Sequence, residues 1–151
     1  METILRTVLQ EKAELLADKG GILYWVEPSA PLREATRLMD EAHAGCVLVM
    51  EQGELVGLLN ERDVVVGLSR HGPEVADMAV HALMTPRPFT VPPSMTVEQA
   101  LVQCTDRRVR HLPVVDGGEL LGLISIGDLV RFVVKDKERT IANLIDYIHG
   151  P

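Results

Sequence analysis

Aromatic residues make up only 3% of this 151-residue chain, as one Trp, two Tyr and two Phe. Any core must therefore be packed by Leu, Val, Ile and Ala, and a hydrophobic fraction of 46% is ample for one. Cysteine is scarce too. Cys46 and Cys104 stand alone, with no C-x-x-C spacing, which excludes a disulfide framework and points to buried thiols in a reducing compartment. No apolar run approaches the roughly 18 residues of a membrane span, and no signal peptide is apparent, so a cytoplasmic protein with no membrane partner is expected. Positive charge is in deficit: the net charge is −7 and the pI about 5.2. That excludes a general nucleic-acid binder, which needs a basic face, and leaves room for a small anion held by a local cation cluster.

What the chain does have is a repeat. Val26–Asp63 lies on Val91–Asp128 without a gap, at a constant offset of 65 (91 − 26, 128 − 63). Among the identities are Val26/Val91, Pro28/Pro93, Ser29/Ser94, Gly53/Gly118, Gly57/Gly122 and Asp63/Asp128. Repetition at a fixed period sets architecture before any single motif does. Units of this size are marginal alone, so the two halves are expected to share a core, with a cleft between them.

Residues 2–19 read as an amphipathic helix with Ile4, Leu5, Val8, Leu9, Leu15 and Leu16 near one face, ended by Gly20-Gly21. Each repeat then gives β-α-β-β-α. A first strand (Leu23–Val26; Phe89–Val91) leads through a proline turn to a helix (Leu32–Glu41; Val97–Arg107). An apolar strand (Cys46–Met50; His111–Val115), a Gln52-Gly53 or Gly117-Gly118 turn and a third strand (Leu55–Leu59; Leu120–Ile124) form a hairpin. A second helix starts near Asp63 or Asp128. Between the repeats lies a proline-rich connector with a short helical stretch at Glu74–Leu83. Ile141, Leu144, Ile145 and Ile148 recur at helical spacing near the end. The divisions are thus a helix over 1–20, repeats over 21–80 and 81–136, and a terminal helix over 137–151.

The sharpest local signal closes each third strand: Gly57-Leu58-Leu59-Asn60-Glu61-Arg62-Asp63 and Gly122-Leu123-Ile124-Ser125-Ile126-Gly127-Asp128. The plainer reading is a helix cap, since Ser125 with Asp128 forms a capping box and Asn60 with Asp63 a variant of it. The functional reading adds a ligand. Helix-start N–H groups attract phosphate, an ionised Asp accepts from both hydroxyls of a ribose, and a strand glycine admits a base or sugar closely.

With these segments the chain resembles the CBS-domain family, tandem domains named for cystathionine β-synthase that pair into a regulatory Bateman module. Val26-Glu-Pro-Ser29, Val91-Pro-Pro-Ser94, Leu83-Met84-Thr85-Pro86, Arg110-His111-Leu112-Pro113-Val114-Val115-Asp116 and the two Gly…Asp segments carry the resemblance. The closing Asp146-Tyr147-Ile148-His149-Gly150 is similar to small stand-alone bacterial members. The resemblance implies an α/β (α+β) fold, two β-α-β-β-α repeats about a pseudo-twofold axis with flanking terminal helices. It also implies clefts for an adenosyl ligand: AMP, ADP, ATP, NAD, S-adenosylmethionine or coenzyme A. Carried over residue by residue, Asp63 and Asp128 accept the ribose, Ser125 faces the phosphate, and Thr90, Val91, His111, Leu112 and Pro113 line the base or phosphate. Cys46 and Asn60 are their counterparts in the first copy, with Arg62 inside its motif. Arg108 and Arg110 make the cleft they reach the better anion site. Trp25 replaces Thr90 in the first copy and either stacks on a base or fills the cleft.

The run Arg107–His111 also reads as a solvated helix end, where cations complement the dipole. The other histidines lack ligand spacing, so no metal is expected, and no acid–base pair or catalytic cofactor suggests an enzyme. The leading expectation is a non-enzymatic nucleotide sensor, a homodimer that signals to an unidentified regulated protein. The alternative is a structural adaptor with degraded, non-binding clefts, for which Trp25 and Asn60 argue.

Overall fold

A computed structural model of the chain describes residues 2–15 and 23–149. Its elements run α1 (Leu5–Leu15), β1 (Trp25–Val26), α2 (Leu32–Ala42), β2 (Cys46–Glu51), β3 (Glu54–Asn60), α3 (Glu61–His71), β4 (Thr85–Pro86), α4 (Val97–Arg107), β5 (His111–Asp116), β6 (Glu119–Ser125) and α5 (Ile126–His149). The mixed α/β reading holds. The helix end at Gly20-Gly21 falls outside the described residues.

Contacts divide the chain into two compact units. One holds residues 23–90 together with Val115–Leu121; the other holds α1, Val91–Val114 and residues 122–149. In the first, β1-β2-β3-β4 form one sheet, with β1 parallel to β2 and the β2–β3 and β3–β4 pairs antiparallel. Val26, Leu32, Ala35, Met39, Val47, Val49, Leu59 and Val80 are buried together under it. In the second, Leu5, Val8, Val91, Val97, Ala100, Leu112, Ile124 and Leu129 are buried. Both hairpins turn through two residues of positive φ, Gln52-Gly53 (51° and 79°) and Gly117-Gly118 (57° and 85°). That is the type I′ geometry, whose twist matches the flanking strands.

The first strand of the second repeat contracts from the predicted Phe89–Val91 to a single bridge, Val91 to Val114. The cause is one residue. In the first repeat the Leu48 N–H donates to the Tyr24 carbonyl at 3.0 Å. Pro113 occupies the equivalent position of β5 and has no N–H to give. Only the Val91 N–H to Pro113 carbonyl bond remains, at 3.0 Å.

The connector departs from prediction as well. The single helix expected over Glu74–Leu83 is two short 3-10 turns, Gly72–Asp77 and Val80–Ala82. Between them Met78 and Ala79 are extended. The Met78 carbonyl accepts from Leu32 N–H and Val80 N–H donates to the Ala30 carbonyl, so tertiary bonding to the first repeat overrides helical propensity here.

The N-terminal segment does the same for the other repeat. Leu5 N–H donates to Met95 carbonyl, Arg6 N–H to Pro93 carbonyl, and Thr3 carbonyl accepts from Val97 N–H. These match, bond for bond, Val80 to Ala30, His81 to Pro28, and Leu32 to Met78. Thr3–Leu9 and Met78–Met84 are thus structural equivalents at an offset of 75 (78 − 3, 84 − 9). The connector completes the first repeat; the start of the chain completes the second. The strand glycines serve this packing. A Cβ at Gly122 would lie 2.7 Å from Leu9 Cδ2, and one at Gly57 would collide with Met84 Sδ. The close approach read in the sequence as room for a base or sugar is taken by Leu9 and Met84 instead.

The helix expected after residue 137 is not separate. It continues the motif helix of the second repeat without a break as α5, 24 residues long. Past Lys135 every described side chain is exposed, including Ile141, Leu144, Ile145 and Ile148.

Candidate functional site

Both motif carboxylates stand at helix starts, each locked by a reciprocal cap. Asp63 N–H donates to Asn60 Oδ1 at 2.9 Å, and Asn60 N–H donates to Asp63 Oδ2 at 2.9 Å. Asp128 N–H donates to Ser125 Oγ at 3.1 Å, and Ser125 N–H to Asp128 Oδ2 at 2.8 Å. The capping reading is therefore correct at both places. It uses one oxygen of each carboxylate and leaves the other, Oδ1, for a further partner.

The two carboxylates differ in their further partners. Asp63 Oδ1 accepts from the Thr85 hydroxyl of β4 at a long 3.4 Å, and among the described residues no cation pairs with Asp63. Burial raises its pKa, outweighing the Asn60 N–H and the Thr85 hydroxyl. Asp128 is in the opposite state. Lys12 of α1 places its ammonium 2.7 Å from Asp128 Oδ2 and donates to the Leu123 carbonyl at 2.8 Å. The Arg131 guanidinium lies 3.8 Å from Oδ1. Burial pulls the Asp128 pKa up, but the Lys12 bond, the Ser125 N–H, the Lys12 charge and the Ser125 hydroxyl together hold it below the usual carboxylate range.

Around Asp63 the structure gathers Asn60, Arg62 and Cys46. Arg62 is exposed in the first turn of α3. Cys46 pairs with Asn60 across β2–β3, and the Glu61 N–H is held by the Gly45 carbonyl. The Cys46 thiol is buried, and burial together with the Asp63 charge pushes it up to about 12. It remains a thiol near neutral pH and is no nucleophile. Cys104 is likewise a buried free thiol.

Around Asp128 the Arg110 carbonyl accepts from Ile126 N–H at 2.8 Å, the counterpart of Gly45. This ties the β5 entry, with Arg110 exposed and His111 half-buried, to the start of α5. Arg108 is exposed at the left-handed C-cap of α4, φ 55°, as the helix-end reading describes. Val91, Leu112 and Pro113 are buried, so a ligand could meet only their backbone. Thr90 is exposed at the end of the other unit.

Trp25 is 52% exposed and lines a cavity of about 910 Å3 with Leu23, Leu48, Met50, His81 and Leu120, all in the unit that holds residues 23–90. Neither motif carboxylate borders it. Among the described residues no group of three His, Cys, Asp or Glu could hold a metal, and no helix is long and apolar enough to cross a membrane.

Sequence reasoning missed Lys12, Leu9 and the Thr85 contact to Asp63. Lys12 aligns with Arg87 at the offset of 75 (87 − 12), and Leu5 and Leu9 align with Val80 and Met84. The match is of residue character without identity.

The CBS domain family pattern matches residues 22–70 and 76–135. The CBS domain-containing protein CBSX3, mitochondrial, of Arabidopsis thaliana is 30% identical over 147 residues, covering 91% of this chain and 71% of that protein. A putative signal-transduction protein with CBS domains from Burkholderia ambifaria superposes with a TM-score of 0.80 at 34% identity, over 89% of this chain and 96% of the other. The structure of CBSX2 in complex with AMP superposes with a TM-score of 0.67 at 30% identity, over 76% and 90%.

Proposed function

Because the chain belongs to the CBS-domain family, we propose that it is a non-enzymatic sensor that binds an adenine nucleotide, such as AMP, ATP or NAD, and signals occupancy to a partner. The observation that carries this reading is Asp63. Its carboxylate is oriented by a capping box through one oxygen and offers the other to nothing better than a long hydroxyl contact. A ribose diol is the ligand group suited to a fixed, acceptor-only carboxylate at a helix start. Neighbouring N–H groups and Arg62 suit a phosphate. The AMP complex of CBSX2 supports the adenosyl class. The ligand shifts the chain toward whichever arrangement it binds more tightly, and that shift is the signal.

Calorimetry with AMP, ADP, ATP, NAD, S-adenosylmethionine and coenzyme A, with turnover monitored in parallel, tests the reading. Binding without turnover is expected. Asp63→Ala is expected to weaken it about tenfold to a hundredfold, the worth of one or two hydrogen bonds to a charged group. A folded, ligand-free sample that binds none of the six would refute the sensor and leave the adaptor. The proposal includes a homodimer, and mass by light scattering checks it.

A further inference from the structure

Lys12 and Asp128 form an ion pair that the proposed function does not use and that has no counterpart at Asp63 among the described residues. The Asp128 side chain is 11% exposed and that of Lys12 29%. The ammonium bridges two acceptors, Asp128 Oδ2 and the Leu123 carbonyl, and Val8 and Phe132 line the same small recess, with Arg131 and Lys135 at its edge. Nothing in capping requires this pair, since the Ser125–Asp128 box is complete without it. Among the described residues no ammonium pairs with Asp63, which keeps its equivalent box. Lys12 is also not a stray surface residue. It lies one turn beyond Val8, 4% exposed, and three residues beyond Leu9, which packs on Gly122, so the placement of α1 fixes where its stem begins.

We infer that Lys12 is a built-in competitor for the ribose-binding carboxylate of the second repeat, so that a nucleoside ligand must compete with an internal ammonium for the charge of Asp128. The inference rests on the sensor reading, because only a carboxylate meant for a ligand has something to compete for. The second repeat has more cations in its Arg107–His111 run, yet its carboxylate is the one that already carries an ammonium, on Oδ2. The first repeat, poorer in cations, presents a carboxylate that no cation pairs with among the described residues. A ligand that leaves the ammonium in place meets a carboxylate whose charge is neutralised. A ligand with a phosphate that can receive the displaced ammonium loses less, so Lys12 favours nucleotides over nucleosides at this site. A site whose competent form is a minor population binds with an affinity reduced by that fraction.

The test is AMP calorimetry on the full chain as wild type, Lys12→Met, Asp63→Ala and the Lys12→Met/Asp63→Ala double variant. Met keeps the apolar stem and removes the ammonium. Wild type is expected to bind one AMP per chain, weakened about tenfold to a hundredfold in Asp63→Ala. Lys12→Met is expected to gain a second site, about tenfold to a hundredfold tighter than any residual second site of the wild type. The double variant is expected to keep that site alone. Adenosine in place of AMP is expected to gain more from Lys12→Met than AMP does. Weaker AMP binding in Lys12→Met, or a stoichiometry and affinity equal to wild type, overturns the inference. If Asp63-sensitive binding persists in that case, the sensor reading survives. If AMP binds none of the four proteins, both fall. Carboxyl NMR gives a readout independent of ligand: the Asp128 titration moves up in Lys12→Met, and an unmoved one overturns the pairing.

Discussion

Two aspartates of the same sequence motif, in the same cap geometry, carry opposite relations between charge and stability. Asp128 is held below the usual carboxylate range, so it stabilises the fold when ionised. That contribution is fully present above an unfolded value of about 4 and is lost as pH falls through the lower folded value. Asp63 is raised by burial, so the folded state favours its protonated form. Stability from Asp63 is present below the unfolded value and is lost as pH rises through the raised folded value. Asp128→Asn should therefore cost about 1–2 kcal/mol at pH 7, discounted for the part-exposed Lys12, and almost nothing at an acid pH below the lowered folded value. Asp63→Asn should cost no more than about 0.5 kcal/mol at pH 7, since the amide oxygen still accepts the Asn60 N–H. Urea unfolding of both variants at the two pH values checks this, and equal losses at pH 7 would remove the distinction. The motif and its caps were readable from residue types and spacing alone. The difference between its two copies was not, because the residue that makes it, Lys12, is 116 positions from Asp128.

At the level of elements, legibility followed locality. The α4 boundaries and both I′ turns came directly from periodicity and the paired turn residues, since helical and strand periods are written in neighbouring positions. The connector helix and the Phe89–Val91 strand failed where backbone bonding to a distant partner decided the outcome. The Pro113 effect was visible in the sequence but needed the register of β5 against Val91 to be interpreted. Gly57 and Gly122 belong here too: their identity across the repeat was visible, their purpose was not. Gly122→Ala should destabilise by about 1–3 kcal/mol, because its Cβ would press on Leu9 of a helix pinned through Leu5 and Arg6. Trimming Leu9 to Ala in the same chain should recover part of that loss. A double-mutant cycle by urea unfolding reads the coupling, and strictly additive effects would show that Leu9 is not what excludes a side chain there.

For the whole molecule, each compact unit is closed by a segment that lies outside the duplicated stretches Val26–Asp63 and Val91–Asp128. Leu5, fully buried, is bonded to Met95 through its N–H; Val80, also fully buried, is bonded to Ala30 in the same way. These two side chains are equivalent plugs in two different cores. Removing their methyl groups should then injure the molecule in two different places. Leu5→Ala should cost about 2–5 kcal/mol and Val80→Ala somewhat less, through lost burial and the cavity left behind. Hydrogen exchange gives the spatial pattern. In Leu5→Ala the amides of α4 and the first half of α5 should lose protection while α2, β2 and β3 keep theirs; in Val80→Ala the pattern should reverse. The expectation follows from the division of contacts, which groups α1 with α4 and α5 although some 80 residues of the chain intervene. Uniform loss of protection in both variants would mean that the units open only together, and that occupancy at one helix-start carboxylate is felt at the other through a single cooperative fold. A split pattern would instead make the α1 contact, Lys12 included, a local device that can open over the second repeat while the first stays closed.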